Sequence, residues 1–98
     1  DVAYFEDKRT QVIKLRKALT QDLQTLGFIV LPSAANFVFA TLPNHQAVDL
    51  SQALRQEGVI VRHFNQPRIK DYLRISVGTQ AQNQRLIDVL TQILAKMD

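Results

Sequence analysis

The segment Tyr72-Leu73-Arg74-Ile75-Ser76-Val77-Gly78-Thr79 constrains this chain more than any other. Its period-two pattern predicts a β-strand running into a helix start. Leu73, Ile75 and Val77 fall on one face, and Tyr72, Arg74 and Ser76 on the other. A guanidinium stays charged in a protein, so an arginine in mid-strand has to meet water, a carboxylate or a phosphate. The fold therefore needs a sheet with one apolar face for its own core. The second face presents either a solvated arginine or a planar anion-binding fork.

The flanking patterns fill in the rest. Val12, Leu15, Leu19, Leu23 and Leu26 recur at spacings of three and four. They predict a first helix over about residues 2–26, stopped at Gly27. That helix is long for so small a domain, and its first turns would suit a connection from a larger protein. Residues 28–31 read as a strand, Pro32-Ser33-Ala34-Ala35 as a turn, and residues 36–42 as a second strand. Pro43-Asn44 breaks that strand, and a second helix starts at Asn44 or His45, turns Ala47, Leu50 and Leu54 inward and closes at Gly58. A third strand over residues 59–62 and a polar loop over residues 63–71 lead to the strand of Arg74. Thr79 and Gln82 form a capping box for a last helix with Leu86, Leu90, Ile93 and Met97 along one stripe.

The order α-β-β-α-β-β-α predicts a two-layer α+β domain, with a small, mostly antiparallel sheet and its helices packed on one face. The other face then needs water or a second domain. The second strand is apolar at nearly every position, which argues for cover on both faces. Val38 and Ala40 are expected on the face whose partner lies outside this chain.

With 98 residues the chain makes one domain, residues 1–98, and the absence of cysteine excludes disulfides and Cys-based zinc sites. The formal charge of +3 is spread along the sequence, which argues against a nucleic-acid footprint. No apolar run reaches the ~20 residues of a membrane span, and no signal peptide is visible, so a cytoplasmic location is expected. His45 and His63 lack partners at metal-ligand spacing, so no metal is expected. Carboxylates occur singly, Ser33 and Ser76 lack a nucleophile motif, and no glycine-rich phosphate loop exists. Lys8, Lys14, Lys17, Lys70 and Lys96 sit on a solvated helix side, in a loop and at the tail, none of them placed for a Schiff base. Arg55 and Arg85 read as solvated helix faces. No catalytic residue is expected in this chain. Arg62, at the end of the third strand, either reaches into solvent or joins Arg74 as a second anion contact from the neighbouring antiparallel strand.

Four segments occur in order: Leu26-Gly27-Phe28, Pro32-Ser33-Ala34-Ala35-Asn36-Phe37-Val38, Glu57-Gly58-Val59-Ile60-Val61-Arg62 and the segment from Tyr72 to Thr79. Together they resemble the C-terminal small domain of the histidinol-phosphate aminotransferases, pyridoxal-phosphate enzymes of the class I/II, fold type I aminotransferase superfamily. The resemblance covers essentially the whole chain. Phosphothreonine decarboxylase-like and aromatic aminotransferase relatives are close.

The resemblance implies a substrate-clamping domain for amino transfer between histidinol phosphate and 2-oxoglutarate in histidine biosynthesis. Arg74 would clamp the substrate carboxylate and Arg62 the substrate phosphate, with Asn36 holding the strand edge near the cleft. The pyridoxal phosphate, its lysine and the large cofactor-binding domain would lie outside this chain, which would be inactive alone. The full-length enzyme would be a homodimer acting on a phosphorylated amino donor and a 2-oxo acid. Two other readings stay open. From Asn36 onward the order β-α-β-β-α also suits a ferredoxin-like regulatory or RNA-binding module, but the aromatic and basic strand that RNA stacking needs is missing. A structural or interaction domain that keeps the fold without the site is the other.

Overall fold

A computed structural model of the chain describes residues 2–33, 35–64 and 66–97, with side chains from Lys8 onward. The elements are α1 (Val2–Thr25), β1 (Ile29–Val30), β2 (Phe37–Thr41), α2 (Ala47–Gln56), β3 (Arg62–His63), β4 (Leu73–Ser76) and α3 (Gln80–Met97). The four strands form one sheet in the order β1-β2-β4-β3, every pair antiparallel. Register pairs Val38 with Ile75 and Ala40 with Leu73, and all four are buried. Leu19 and Leu23 of α1, Leu50 and Leu54 of α2, and Leu86, Leu90 and Ile93 of α3 pack against them in one core. The helices thus share one face of the sheet, in the expected two-layer α+β arrangement.

Strand parity corrects the expectation for Val38 and Ala40. They are 1% and 0% exposed, so the face they share with Leu73 and Ile75 is the covered one. The face free of helices carries Phe37, Phe39 and Thr41, each half-buried. The apolar run in β2 therefore reflects a core face and an aromatic outer face.

The third strand is also shifted, to Arg62–His63 from the expected residues 59–62. The physical reason lies at the end of α2. Gly58 adopts a left-handed φ of 80°, its N–H donates to Arg55 O at 3.0 Å, and the Val59 N–H donates to Leu54 O at 2.9 Å. This pair of bonds closes the helix and uses up the Val59 amide before the chain can join the sheet. Gly27, with φ of 103°, ends α1 in the same way, through Gln24 O and Leu23 O. Asn44 also has a positive φ, 69°, which places it in a turn, and α2 starts only at Ala47. Met97 is 46% exposed and stands outside the core stripe of α3. Arg85 is tied down as well, its Nη2 donating to Glu57 O at 2.7 Å.

The junction from β4 to α3 is held by two devices. Thr79 and Gln82 make the expected capping box: the Thr79 N–H donates to Gln82 Oε1 at 2.9 Å and the Gln82 N–H to Thr79 Oγ1 at 3.1 Å. Asn83, a buried polar residue, accepts the Gly78 N–H on Oδ1 at 2.9 Å and donates from Nδ2 to Gly78 O at 3.3 Å. A Cβ on Gly78 would collide with Gln82 Oε1, so this position has to stay bare for the cap to close.

Asn83→Ala strips both partners from the Gly78 peptide groups, and denaturant unfolding should show a loss of about 1–3 kcal/mol. Gly58→Ala should cost about 1–2 kcal/mol, the penalty of a Cβ in left-handed backbone. An unchanged midpoint in either variant would mean that these caps do not hold the sheet to its helices.

Candidate functional site

Because Leu73 and Ile75 point into the core, Arg74 between them points to the outer face. Its direct partner on β2 is Phe39, and on β3 it is Arg62. Side chains paired in antiparallel register share a face with Cα atoms roughly 5 Å apart. The two arginines expected to bind anions therefore stand opposite each other, Arg74 half-buried and Arg62 exposed. Like charges in this register repel, so the pair is an unfavourable choice for a strand interior unless an anion bridges it.

Aromatic rings surround the more buried of the two. Arg74 Cζ lies 5.1 Å from the centroid of Phe37 and 5.6 Å from that of Phe64. Phe37 meets Phe39 edge to face at 5.5 Å and 89°. Contacts of this kind contribute about 0.5–1 kcal/mol each at exposed sites. They partly desolvate the guanidinium faces and leave its planar N–H edge as the group's donor surface. Among the described residues, neither Arg74 nor Arg62 makes an ion pair or a side-chain hydrogen bond. What results is a cationic, aromatic-walled sheet face suited to a planar carboxylate or a phosphate.

Asn36 lies at the start of this face. Its backbone oxygen accepts the Val77 N–H at 2.7 Å, continuing the β2–β4 ladder one step beyond the strands, and its side chain is exposed. A shallow cleft lies between Asn36 and Lys8, Arg9, Val12, Ile13 and Arg16 of α1. Ser33 fixes the approach to β2: its hydroxyl donates to Phe37 O at 2.7 Å and accepts the Ala35 N–H at 3.2 Å. Arg16 Nη1 reaches Ala35 O at 3.3 Å and ties α1 to the same turn.

Sequence reasoning missed the aromatic walls. The polar composition of residues 63–71 reads as loop, whereas Arg62-His63-Phe64 continues the alternation that puts Phe64 on the outer face. His63, on the opposite parity, has Nε2 2.8 Å from Lys70 O. Among the described residues no group of histidines and carboxylates could hold a metal, and no helix is long and apolar enough to cross a membrane.

The aminotransferase class I and II family model matches residues 1–90. The histidinol-phosphate aminotransferase of Acinetobacter baylyi is 58% identical over 90 residues, which is 92% of this chain and 25% of that protein. The histidinol-phosphate aminotransferase from Sinorhizobium meliloti, solved in complex with pyridoxal-5'-phosphate, superposes on all of this chain over 27% of its own length. Its TM-score is 0.84 and its identity 19%, so the likeness is one of fold. L-threonine-O-3-phosphate decarboxylase from Porphyromonas gingivalis matches 88% of this chain with 26% of its own, at TM-score 0.72 and 26% identity. This chain spans about a quarter of the length of these proteins. By the extent of the family match, the chain belongs to the class I and II aminotransferases.

Proposed function

We propose that this chain is the small, substrate-clamping domain of a histidinol-phosphate aminotransferase, which moves an amino group between histidinol phosphate and 2-oxoglutarate in histidine biosynthesis. The observation that carries the reading is the register of Arg62 against Arg74 on an open, aromatic-walled sheet face. Two adjacent guanidinium groups match a reaction whose two amino donors present different anions. Glutamate offers an α-carboxylate, and histidinol phosphate carries a phosphorylated hydroxymethyl group at that position. Arg74, oriented by its rings, would grip the planar carboxylate through two parallel N–H···O bonds, and Arg62, more exposed, would meet the phosphate. Asn36 would hold the ladder beside the cleft through its backbone.

Pyridoxal phosphate, when bound to the whole enzyme, supplies the electron sink for amino transfer. The residues of this chain do not fit it: all five lysines are exposed, and the N-terminus of α3 is closed by its own capping box. The cofactor would belong to a large domain outside this chain, in a cytoplasmic enzyme that works as a homodimer. The contribution of this chain is then to bind and orient substrate. Each half-reaction depends on how it holds the anion.

A second reading has a specific support. L-threonine O-3-phosphate carries a carboxylate and a phosphate together, and the decarboxylase named for it shares this fold. Paired arginines would suit such a substrate equally well, and the two readings differ in substrate and in reaction, decarboxylation against amino transfer.

Half-reaction kinetics in the full-length protein test the assignment. Arg74→Ala should lower kcat/KM for L-glutamate by about 2–3 kcal/mol, roughly thirty- to 150-fold. Arg62→Ala should do the same for histidinol phosphate and spare glutamate. Equal losses for both donors in both variants would overturn the division of roles. Turnover of threonine phosphate without turnover of histidinol phosphate would favour the second reading.

A further inference from the structure

The Arg74 guanidinium touches two rings with different supports. Phe37 belongs to β2, inside the sheet, whereas Phe64 stands just past β3 on the connection to β4. Of the described residues of that connection, Gln66, Pro67, Arg68, Lys70 and Asp71 are exposed, so burial does little to fix it. It is held in another way. A carbonyl oxygen only accepts, so the 2.8 Å contact of His63 Nε2 with Lys70 O means that Nε2 carries the hydrogen and donates it. The bond joins the last residue of β3 to a point seven positions on, close to the base of the connection. Inside the span so closed the Ile69 N–H donates to Gln66 O, and just past its end the Tyr72 N–H donates back across Lys70 to Ile69 O, each at 3.0 Å.

Parity separates the two functions of this stretch. His63 pairs with Leu73 and so lies on the helix side of the sheet, in a cleft with Gln46, Ala47 and Val48 at the start of α2. Its neighbours Arg62 and Phe64 take the outer face beside Arg74. On this edge strand the imidazole thus faces away from Arg74, while Arg62, His63 and Phe64 together border a cleft against α2. The hydrogen bond of His63 ends on the connection that begins with Phe64.

We propose that His63 is a positioning residue for the anion site: its hydrogen bond to Lys70 holds the β3–β4 connection closed, and the closed connection holds Phe64 against the Arg74 guanidinium. The inference rests on the reading of Arg74 as the carboxylate clamp. A free arginine side chain has large rotamer freedom, and two neighbouring rings remove part of it before the ligand arrives. Loss of the Phe64 wall should then weaken carboxylate binding with little effect on the later chemistry.

The test uses the full-length protein with five variants: His63→Ala, His63→Gln, Phe64→Ala, the His63→Ala/Phe64→Ala double variant and Arg74→Ala. Amide hydrogen exchange of Ile69 and Tyr72 reports closure of the connection, and the KM for L-glutamate reports the clamp. His63→Ala should speed exchange at both amides and raise the glutamate KM roughly three- to tenfold, the size of one or two ring contacts, with kcat nearly unchanged. His63→Gln, whose amide nitrogen can donate to the same carbonyl, should restore both readouts. The double variant should be no worse in KM than Phe64→Ala, because both changes remove the same contact.

Faster exchange with an unchanged KM, or losses that multiply in the double variant, would overturn the proposal. If His63→Ala does not fold, Phe64→Ala decides: a KM rise of the stated size supports the proposal and an unchanged KM overturns it. Should Arg74→Ala leave the glutamate KM unchanged, the carboxylate reading fails and this inference with it. A strong Arg74→Ala effect beside silent His63 and Phe64 variants removes this inference alone.

Discussion

Two like charges stand side by side on this sheet because the core beneath them leaves no alternative. Leu73 and Ile75 are buried under the helices at 1% and 2% exposure, and full burial of such side chains is worth about 1.5–3 kcal/mol each. Repulsion between Arg62 and Arg74, in contact with water, costs well under that sum, on the order of 1 kcal/mol or less. A slip of β4 by one residue would separate the arginines from their present neighbours, but it would also drive Arg74 beneath the helices. Hydrophobic burial on one face therefore enforces electrostatic frustration on the other. An anion is the natural means of relieving it.

The remaining structure secures that geometry. Asn83 and the Thr79–Gln82 capping box fasten the end of β4 to α3, so a slide of the strand along its partner would have to carry the helix start with it or break these hydrogen bonds. Ser33 sets the turn into β2, which delivers Phe37 to the guanidinium. On the other flank, the closure of α2 at Gly58 delays β3 until Arg62, so that strand offers the sheet only Arg62 and His63. The register that sets Arg62 against Arg74 is thus supported by caps and turns on both flanks.

Much of this was legible in the residues. The alternation around Arg74 gave its face correctly, and the capping box at Thr79 was readable from two side chains three positions apart. Juxtaposition of Arg62 and Arg74 followed from antiparallel order. What periodicity could not supply was parity in β2, where every position is apolar or nearly so. Val38 and Ala40 were expected on the uncovered face, and only pairing with Ile75 and Leu73 places them in the core. The early part of β3 was also hidden, because Val59 has strand propensity while its amide is used to end a helix. Phe64 was legible only once β3 is placed at Arg62–His63, because the alternation then continues into the loop, and the contact of His63 with a backbone oxygen seven residues away leaves no mark in the sequence pattern.

The central claim is that Arg62 and Arg74 form one anion-binding surface. It is tested most directly by following the Nε–H resonances of these two arginines, assigned by substitution, while the full-length protein is titrated with histidinol phosphate. Both resonances should move and saturate together, with the larger displacement at Arg62, where the phosphate is expected to bind. Saturable binding that leaves both resonances in place would contradict the claim, because the ligand would then occupy a site that this sheet face does not form.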